Sequence, residues 1–224
     1  MNSIMSCTSS YYNIITNIST IRFIYKYAVM TTISIYNNIT FNIIINSDNI
    51  KIGEIGAQYI IDQLDKNGTV LLLEGLPNAD VTQLRTKGFM NIASKYPNIK
   101  IEKRVANYLR KDAISVMEGL LDNNSTFDAI FSESDSMLAG VRSVFKARGI
   151  DSSKIITIGC DYTSQARQAI QEGLQSGSVK FPLAGKESAE AIKKLIANET
   201  VDKHIVIPVE LVTKENVDKV EPIF

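Results

Sequence analysis

From residue 47 onward, apolar positions fall into alternating blocks of two kinds. Residues 51–66 place Ile52, Ile55, Tyr59 and Ile60 on one side of a helix, and Asn67-Gly68 reads as its stop. Residues 70–74 (VLLLE) are a short unbroken apolar run of the sort a buried parallel strand needs. A helix over 80–95 follows, then a break at Tyr96-Pro97-Asn98 and a strand over 99–105. Helix 110–122 carries Ile114, Met117 and Leu121 at spacings of three and four. Strand 128–131 leads to helix 134–148, which Gly149 stops, and strand 155–159 follows. Helix 164–175, strand 178–181, helix 183–198 and a strand-like tail over 205–212 complete the pattern. Strand starts near 70, 99, 128 and 155 are spaced by 29, 29 and 27 residues, the length of a strand plus a crossover helix. The pattern predicts an α/β fold: a parallel sheet flanked by helices on both faces, in three layers.

Residues 1–46 do not share this pattern. They hold twelve Ile, seven Asn, six Thr and five Tyr, with no Gly, Pro, Asp or Glu, and only Arg22 and Lys26 carry side-chain charge. No basic residue precedes Arg22 and polar residues interrupt every apolar run, so the stretch reads poorly as a secretory signal. Its β propensity and low charge make it aggregation-prone when exposed. Ile, Asn, Tyr and Lys are residues of AT-rich codons. Two origins stay open, translation from a non-native frame or start and a genuine divergent segment.

Charge and composition then remove function classes. The 224 residues are 45% hydrophobic, enough for a sizeable core, and 24 basic side chains balance 24 acidic ones. Zero net charge and no visible basic patch argue against a nucleic-acid partner. One histidine, His204, and two cysteines, Cys7 and Cys160, are too few for a Cys/His zinc site or a disulfide framework. No apolar run reaches the roughly 18 residues of a membrane span. Walker A and G-x-G-x-x-G motifs are absent.

In a parallel sheet, ligands bind beyond the carboxyl ends of the strands. That selects Gly75-Leu76-Pro77, Asn107-Tyr108, Ser132 to Asp135, Cys160-Asp161 and Phe181-Pro182. His204 lies outside this list on a terminal strand, so no Ser-His or Cys-His pair forms within it. Cys160 after a strand-end glycine resembles a nucleophile elbow only faintly, and a small residue lining a pocket or core is the simpler reading. Glu74, Asp135 and Asp161 together offer three carboxylates to Mg²⁺, although acidic strand ends are common in α/β folds. The other use of the set is reversible polyol binding. Carboxylates accept from hydroxyls, an arginine fork donates to their oxygens, and aromatic faces cover C–H surface.

These residues also carry a family resemblance. Residues from about 47 to 215 resemble the second half of ribose-type sugar-binding proteins of bacterial ABC transporters, the type 1 periplasmic binding proteins. SDNIKIGEIGAQYI is similar to the entry into the C-terminal lobe, and Arg85 to Phe89 to an R-x-x-G-F segment. AIFSESDSM at 129–137 resembles A-[VI]-F-x-x-N-D-x-M, Ile158 to Asp161 resembles V-G-[FY]-D, and LVTKENV at 211–217 is a familiar ending. The resemblance implies a sugar or polyol pocket of Arg85, Tyr108, Ser134, Cys160, Asp161 and Phe181. Ser134, Cys160 and Phe181 stand where Asn, an aromatic and Gln are common, which puts ribose itself in doubt. It further implies a non-enzymatic solute-binding protein with no cofactor and no metal. Closure of two lobes over the ligand would precede delivery to a membrane ABC permease, on the periplasmic or extracytoplasmic side. A chemoreceptor or sensor kinase is a further partner, and a monomer is expected.

By the same resemblance, residues 47–181 form the C-terminal lobe, 182–207 a crossover helix and strand belonging to the first lobe, and 208–224 a return segment. The rest of the first lobe has no counterpart unless 1–46 is its remnant, so the chain by itself is expected to bind sugar weakly or not at all. Two rivals are the effector domain of a LacI-like regulator and an α/β enzyme using strand-end carboxylates. The first needs a helix-turn-helix that residues 1–46 do not suggest.

Overall fold

The computed structural model describes residues 43–224, so the reading of residues 1–42 lies outside the described residues. The described chain divides into two units, one of residues 43–47 with Leu183–Ile207 and a larger one of Asp48–Pro182 with Pro208–Phe224. In the smaller unit, β1 (Ile44–Ser47) pairs in parallel with β7 (His204–Ile207), with Ile44 opposite His204. The His204 ring nitrogen Nε2 sits 2.9 Å from Asn46 Oδ1 across that ladder. Helix α6 (Gly185–Ile196) belongs to the same unit and buries Ala191.

The larger unit is a six-stranded sheet. Its strands are β2 (Gly68–Glu74), β3 (Ile99–Val105), β4 (Ala129–Ser132), β5 (Ile156–Asp161), β6 (Gly177–Lys180) and β8 (Glu210–Thr213), ordered β3-β2-β4-β5-β6-β8. The first five run parallel and β8 is antiparallel to β6. Strand alternation divides the core. Val70 and Leu72 face helices α1 (Asn49–Gln63) and α2 (Asp80–Ala93), together with Phe131, Ile158 and Val179. Leu71, Leu73 and Ile130 face α3 (Arg110–Asp122) and α4 (Asp135–Arg148), where Met117, Leu138 and Phe145 pack. Leu71, Leu72 and Leu73 are fully buried. Each such side chain contributes about 1.5–3 kcal/mol of transfer free energy. Helix α5 (Ser164–Gln171) completes the second layer. The result is helix, sheet, helix, as the strand spacing predicts.

Four details differ from the sequence pattern. Helix α1 ends at Gln63 and Asp65 and Lys66 then turn with positive φ, so the stop precedes Asn67-Gly68 and Gly68 instead opens β2. Strand β5 runs on to Asp161, so Cys160 and Asp161 end the strand rather than follow it. Helix α5 stops at Gln171, because Gly173 turns with positive φ and Gln175 Nε2 is held by the Gly177 carbonyl and the Asp135 carboxylate. The tail over 205–212 is two strands, not one; Pro208, without an N–H, separates β7 from β8, and the two join different sheets.

Close helix approach positions the site. A Cβ on Gly53 would lie 2.0 Å from the Arg85 carbonyl oxygen, and one on Gly88 would lie 1.9 Å from that of Ile50. These two glycines let α1 and α2 touch backbone to backbone. That contact brings Asn49, at the start of α1, alongside Arg85 of α2.

Candidate functional site

On α2, Thr82, Arg85, Phe89 and Ala93 recur at helical spacing, and all four are buried. Arg85 is thus an arginine on an inward face, only 3% exposed. Its Nε donates to Asn49 Oδ1 at 3.0 Å and its Nη1 to the Glu133 carbonyl. The guanidinium lies 5.2 Å above the Phe181 ring, a cation–π distance. Burial works to lower its pKa, but Cys160, Asp161, Tyr108 and Glu133 outweigh burial and raise it, so the charge is kept.

Asp161 closes β5 on a backbone turn with φ of 109°, followed by Tyr162 at 63°. Such conformations cost non-glycine residues about 1–3 kcal/mol each and persist only when their surroundings impose them. Here Asp135 does so. Its buried carboxylate accepts from Tyr162 N–H at 2.7 Å, Thr163 N–H at 3.2 Å, the Ser178 hydroxyl at 2.9 Å and Gln175 Nε2 at 3.0 Å. Burial pushes Asp161 up to about 7 against the pull of Arg85, while a backbone N–H of Asp135 steadies its ionised form. Burial likewise raises Asp135 and the fully enclosed Cys160 thiol.

A second strained turn ends β3, where Asn107 and Tyr108 have φ of 52° and 61°. The Tyr108 hydroxyl lies 2.8 Å from Thr82 Oγ1 and donates to Glu133 at 3.4 Å. Its ring lies against Gly75, where a Cβ would come within 2.0 Å of it. Ser134 caps α4, its hydroxyl accepting from Met137 N–H at 3.2 Å. The structure therefore gathers Arg85, Tyr108, Ser134, Cys160, Asp161 and Phe181 at the carboxyl end of one sheet. Cys160 and Ser134 have structural duties there, in the core and at the cap.

Glu133, Thr82 and Thr86 are site neighbours that the sequence reading did not select. An acid directly after the short strand AIFS, and Thr82 one helical turn before Arg85, were the available signals. The Mg²⁺ alternative loses its geometry. Glu74 accepts from the Thr86 hydroxyl at 2.8 Å and pairs with Lys103 at 3.7 Å, while Asp135 turns inward. Among the described residues no group of three His, Cys, Asp or Glu side chains could hold a metal, and no helix is long and apolar enough to cross a membrane. A cavity of about 290 Å³ lined by Tyr59, Gln175 and Lys214, among others, opens at the amino ends of β5 and β6 and includes none of the six candidates.

Residues 34–200 match the periplasmic binding protein domain. The ribose import binding protein of Bacillus subtilis is 33% identical over 174 residues, which is 77% of this chain and 56% of that protein. The fructose import binding protein of Bifidobacterium longum is 33% identical over 170 residues, 73% of this chain and 50% of its own length. An ABC transporter periplasmic solute-binding protein of Actinobacillus succinogenes, solved with bound D-allose, has a TM-score of 0.74 at 25% identity. It covers 81% of this chain and 65% of its own. The chain thus spans about half the length of the two import proteins it matches.

Proposed function

The chain belongs to the periplasmic binding protein family, and from that premise we propose that it binds a sugar or related polyol for an ABC permease, on the periplasmic or extracytoplasmic side of the membrane. It acts as a binding protein rather than an enzyme. The observation that carries the reading is the buried Arg85, held over Phe181 and electrostatically coupled to Asp161 at the strand ends. The guanidinium donates to ligand oxygens, the carboxylate accepts from ligand hydroxyls, and the Phe181 and Tyr108 rings cover apolar ring carbons. The three departures from the ribose-type pattern, at Ser134, Cys160 and Phe181, favour a polyol other than ribose.

The test is a saturation-transfer NMR screen of ribose, fructose, allose and myo-inositol against the full chain at up to about 20 mM, the weak end of specific affinities. Binding of at least one is expected, weakened about tenfold or more by Arg85→Met or Asp161→Asn, since each removes charge-assisted hydrogen bonds. No transfer from any of the four, or transfer indifferent to both substitutions, would defeat the proposal.

A further inference from the structure

We propose that Glu133 is the positioning residue of this site, holding Tyr108 through its carboxyl group and Arg85 through its carbonyl, so that Tyr108 meets a ligand with its ring and not its hydroxyl. The proposal rests on the sugar-binding reading for its ligand, though not for its network.

Glu133 has no exposed surface. Its Oε2 accepts from Gly75 N–H at 2.8 Å and from the Tyr108 hydroxyl at 3.4 Å, and its Oε1 lies 3.0 Å from Thr86 Oγ1. The Tyr108 hydroxyl is thereby shared between Thr82 and Glu133, and the Gly75 backbone backs the ring. What remains for a ligand is aromatic surface, suited to the C–H face of a sugar.

The network also fixes where a proton sits. The Thr86 hydroxyl has one proton, yet it lies within bonding distance of two carboxyl oxygens, Glu74 Oε1 and Glu133 Oε1. Both contacts are attractive only when one acid is neutral: that acid donates to Thr86, and Thr86 donates to the other. Lys103 stands 3.7 Å from Glu74 and supplies a counter-charge there, so the proton belongs to Glu133. Burial agrees, pushing Glu133 up to about 7 against the Gly75, Thr86 and Arg85 contacts. The groups around it are Glu74 on β2, Arg85 and Thr86 on α2, Tyr108 after β3, and Cys160 on β5. Ionising Glu133 leaves Thr86 between two anions and makes Oε2 a stronger acceptor for the Tyr108 hydroxyl, so the Tyr108 environment changes with the charge on Glu133.

The test uses the full chain labelled with 3-fluorotyrosine and a Tyr108→Phe variant to assign the resonance. Between about pH 6 and pH 8, a range centred on the Glu133 titration, the Tyr108 signal should shift in the wild type. In Glu133→Gln, which mimics the neutral acid, it should stay near its low-pH position. With the tightest binder among ribose, fructose, allose and myo-inositol as probe, Glu133→Ala should bind about tenfold more weakly than the wild type. A Tyr108 signal that is flat in the wild type overturns the proposal. So does the same titration in Glu133→Gln, which would assign it to Asp161, and so does a Glu133→Ala variant that binds like wild type. Should the signal titrate through Glu133 while ribose, fructose, allose and myo-inositol all fail to bind, the positioning of Tyr108 stands and the sugar reading falls.

Discussion

Replacing Asp135 tests whether one buried carboxylate holds the turn that aims Asp161. The side chain is 2% exposed and takes four donors, two of them the backbone N–H groups that follow Asp161. Asp135→Ala removes the acceptor from all four. Two losses are softened, because Tyr162 N–H still reaches the Ser178 hydroxyl at 3.1 Å and Gln175 Nε2 still reaches the Gly177 carbonyl at 2.8 Å. The Thr163 N–H keeps no partner, and the strained pair at Asp161 and Tyr162 loses its clamp. A hydrogen bond to a charged group contributes about 1.5–3 kcal/mol, and the burial of the carboxylate offsets part of this, so a loss of about 3–5 kcal/mol is expected. Asp135→Asn keeps one acceptor oxygen and should cost less. Burial raises the Asp135 pKa, so the wild-type side chain stabilises most at low pH and loses part of that contribution as pH rises past the ordinary aspartate range. The gap between wild type and Asp135→Asn should therefore narrow with pH. Urea unfolding followed by tyrosine fluorescence measures both effects; the chain has no tryptophan to obscure the signal. A loss under about 1 kcal/mol in Asp135→Ala would show that the turn holds itself and refute the reasoning.

Three other outcomes are expected. Gly53→Ala puts a methyl 2.0 Å from the Arg85 carbonyl, so the helices must part; a cost of about 1–3 kcal/mol and weaker sugar binding should appear together, and an unchanged urea midpoint would contradict the close approach. Asp161 and Glu133 are both pushed up to about 7, so their contribution to stability is full below about pH 4 and is lost as pH rises to 7, by roughly 4 kcal/mol for Asp161 and roughly 3 kcal/mol for Glu133. Urea midpoints compared across that range should fall less steeply in Asp161→Asn than in the wild type, and equal slopes would be the adverse result. Cys160 is fully buried with a raised thiol pKa, so peptide mapping after iodoacetamide should find it unmodified in the folded chain and modified in urea; rapid folded-state alkylation would place it in the open site instead.

The layered fold was legible because each strand and crossover helix pair consumes a similar length, and because VLLLE needs cover on both faces. Arg85 was legible in its R-x-x-G-F setting, whereas its place on the buried Thr82–Phe89 face emerges from the structure. Strand direction was not, since β8 has the same local pattern whether it runs parallel or antiparallel to β6. The shortened α5 escaped notice because its end depends on Gln175 bonding to Asp135, forty residues away in sequence. Glu133 escaped for the same reason. An acid after a strand reads as a solvated loop residue until Gly75, Thr86 and Tyr108 are seen to converge on it.

The two acids that flank Ser134 explain how a strained site survives on an ordinary scaffold. Strand β4 ends between β2 and β5, so the residues just past it can reach toward both neighbours. Glu133 reaches back to Gly75 and Tyr108, and Asp135 reaches forward to Tyr162 and Thr163. Each acid therefore holds one of the site's two positive-φ turns, the one after β3 and the one ending β5. A turn that costs about 1–3 kcal/mol is affordable beside a buried carboxyl group with several donors to satisfy, because the strained backbone supplies or orients those donors. Burial and backbone strain thus solve each other's problem. The candidate ligand residues inherit their placement from that arrangement: Tyr108 and Asp161 sit on the strained turns, Arg85 is bound to the Glu133 carbonyl, and Ser134 caps the helix between the acids.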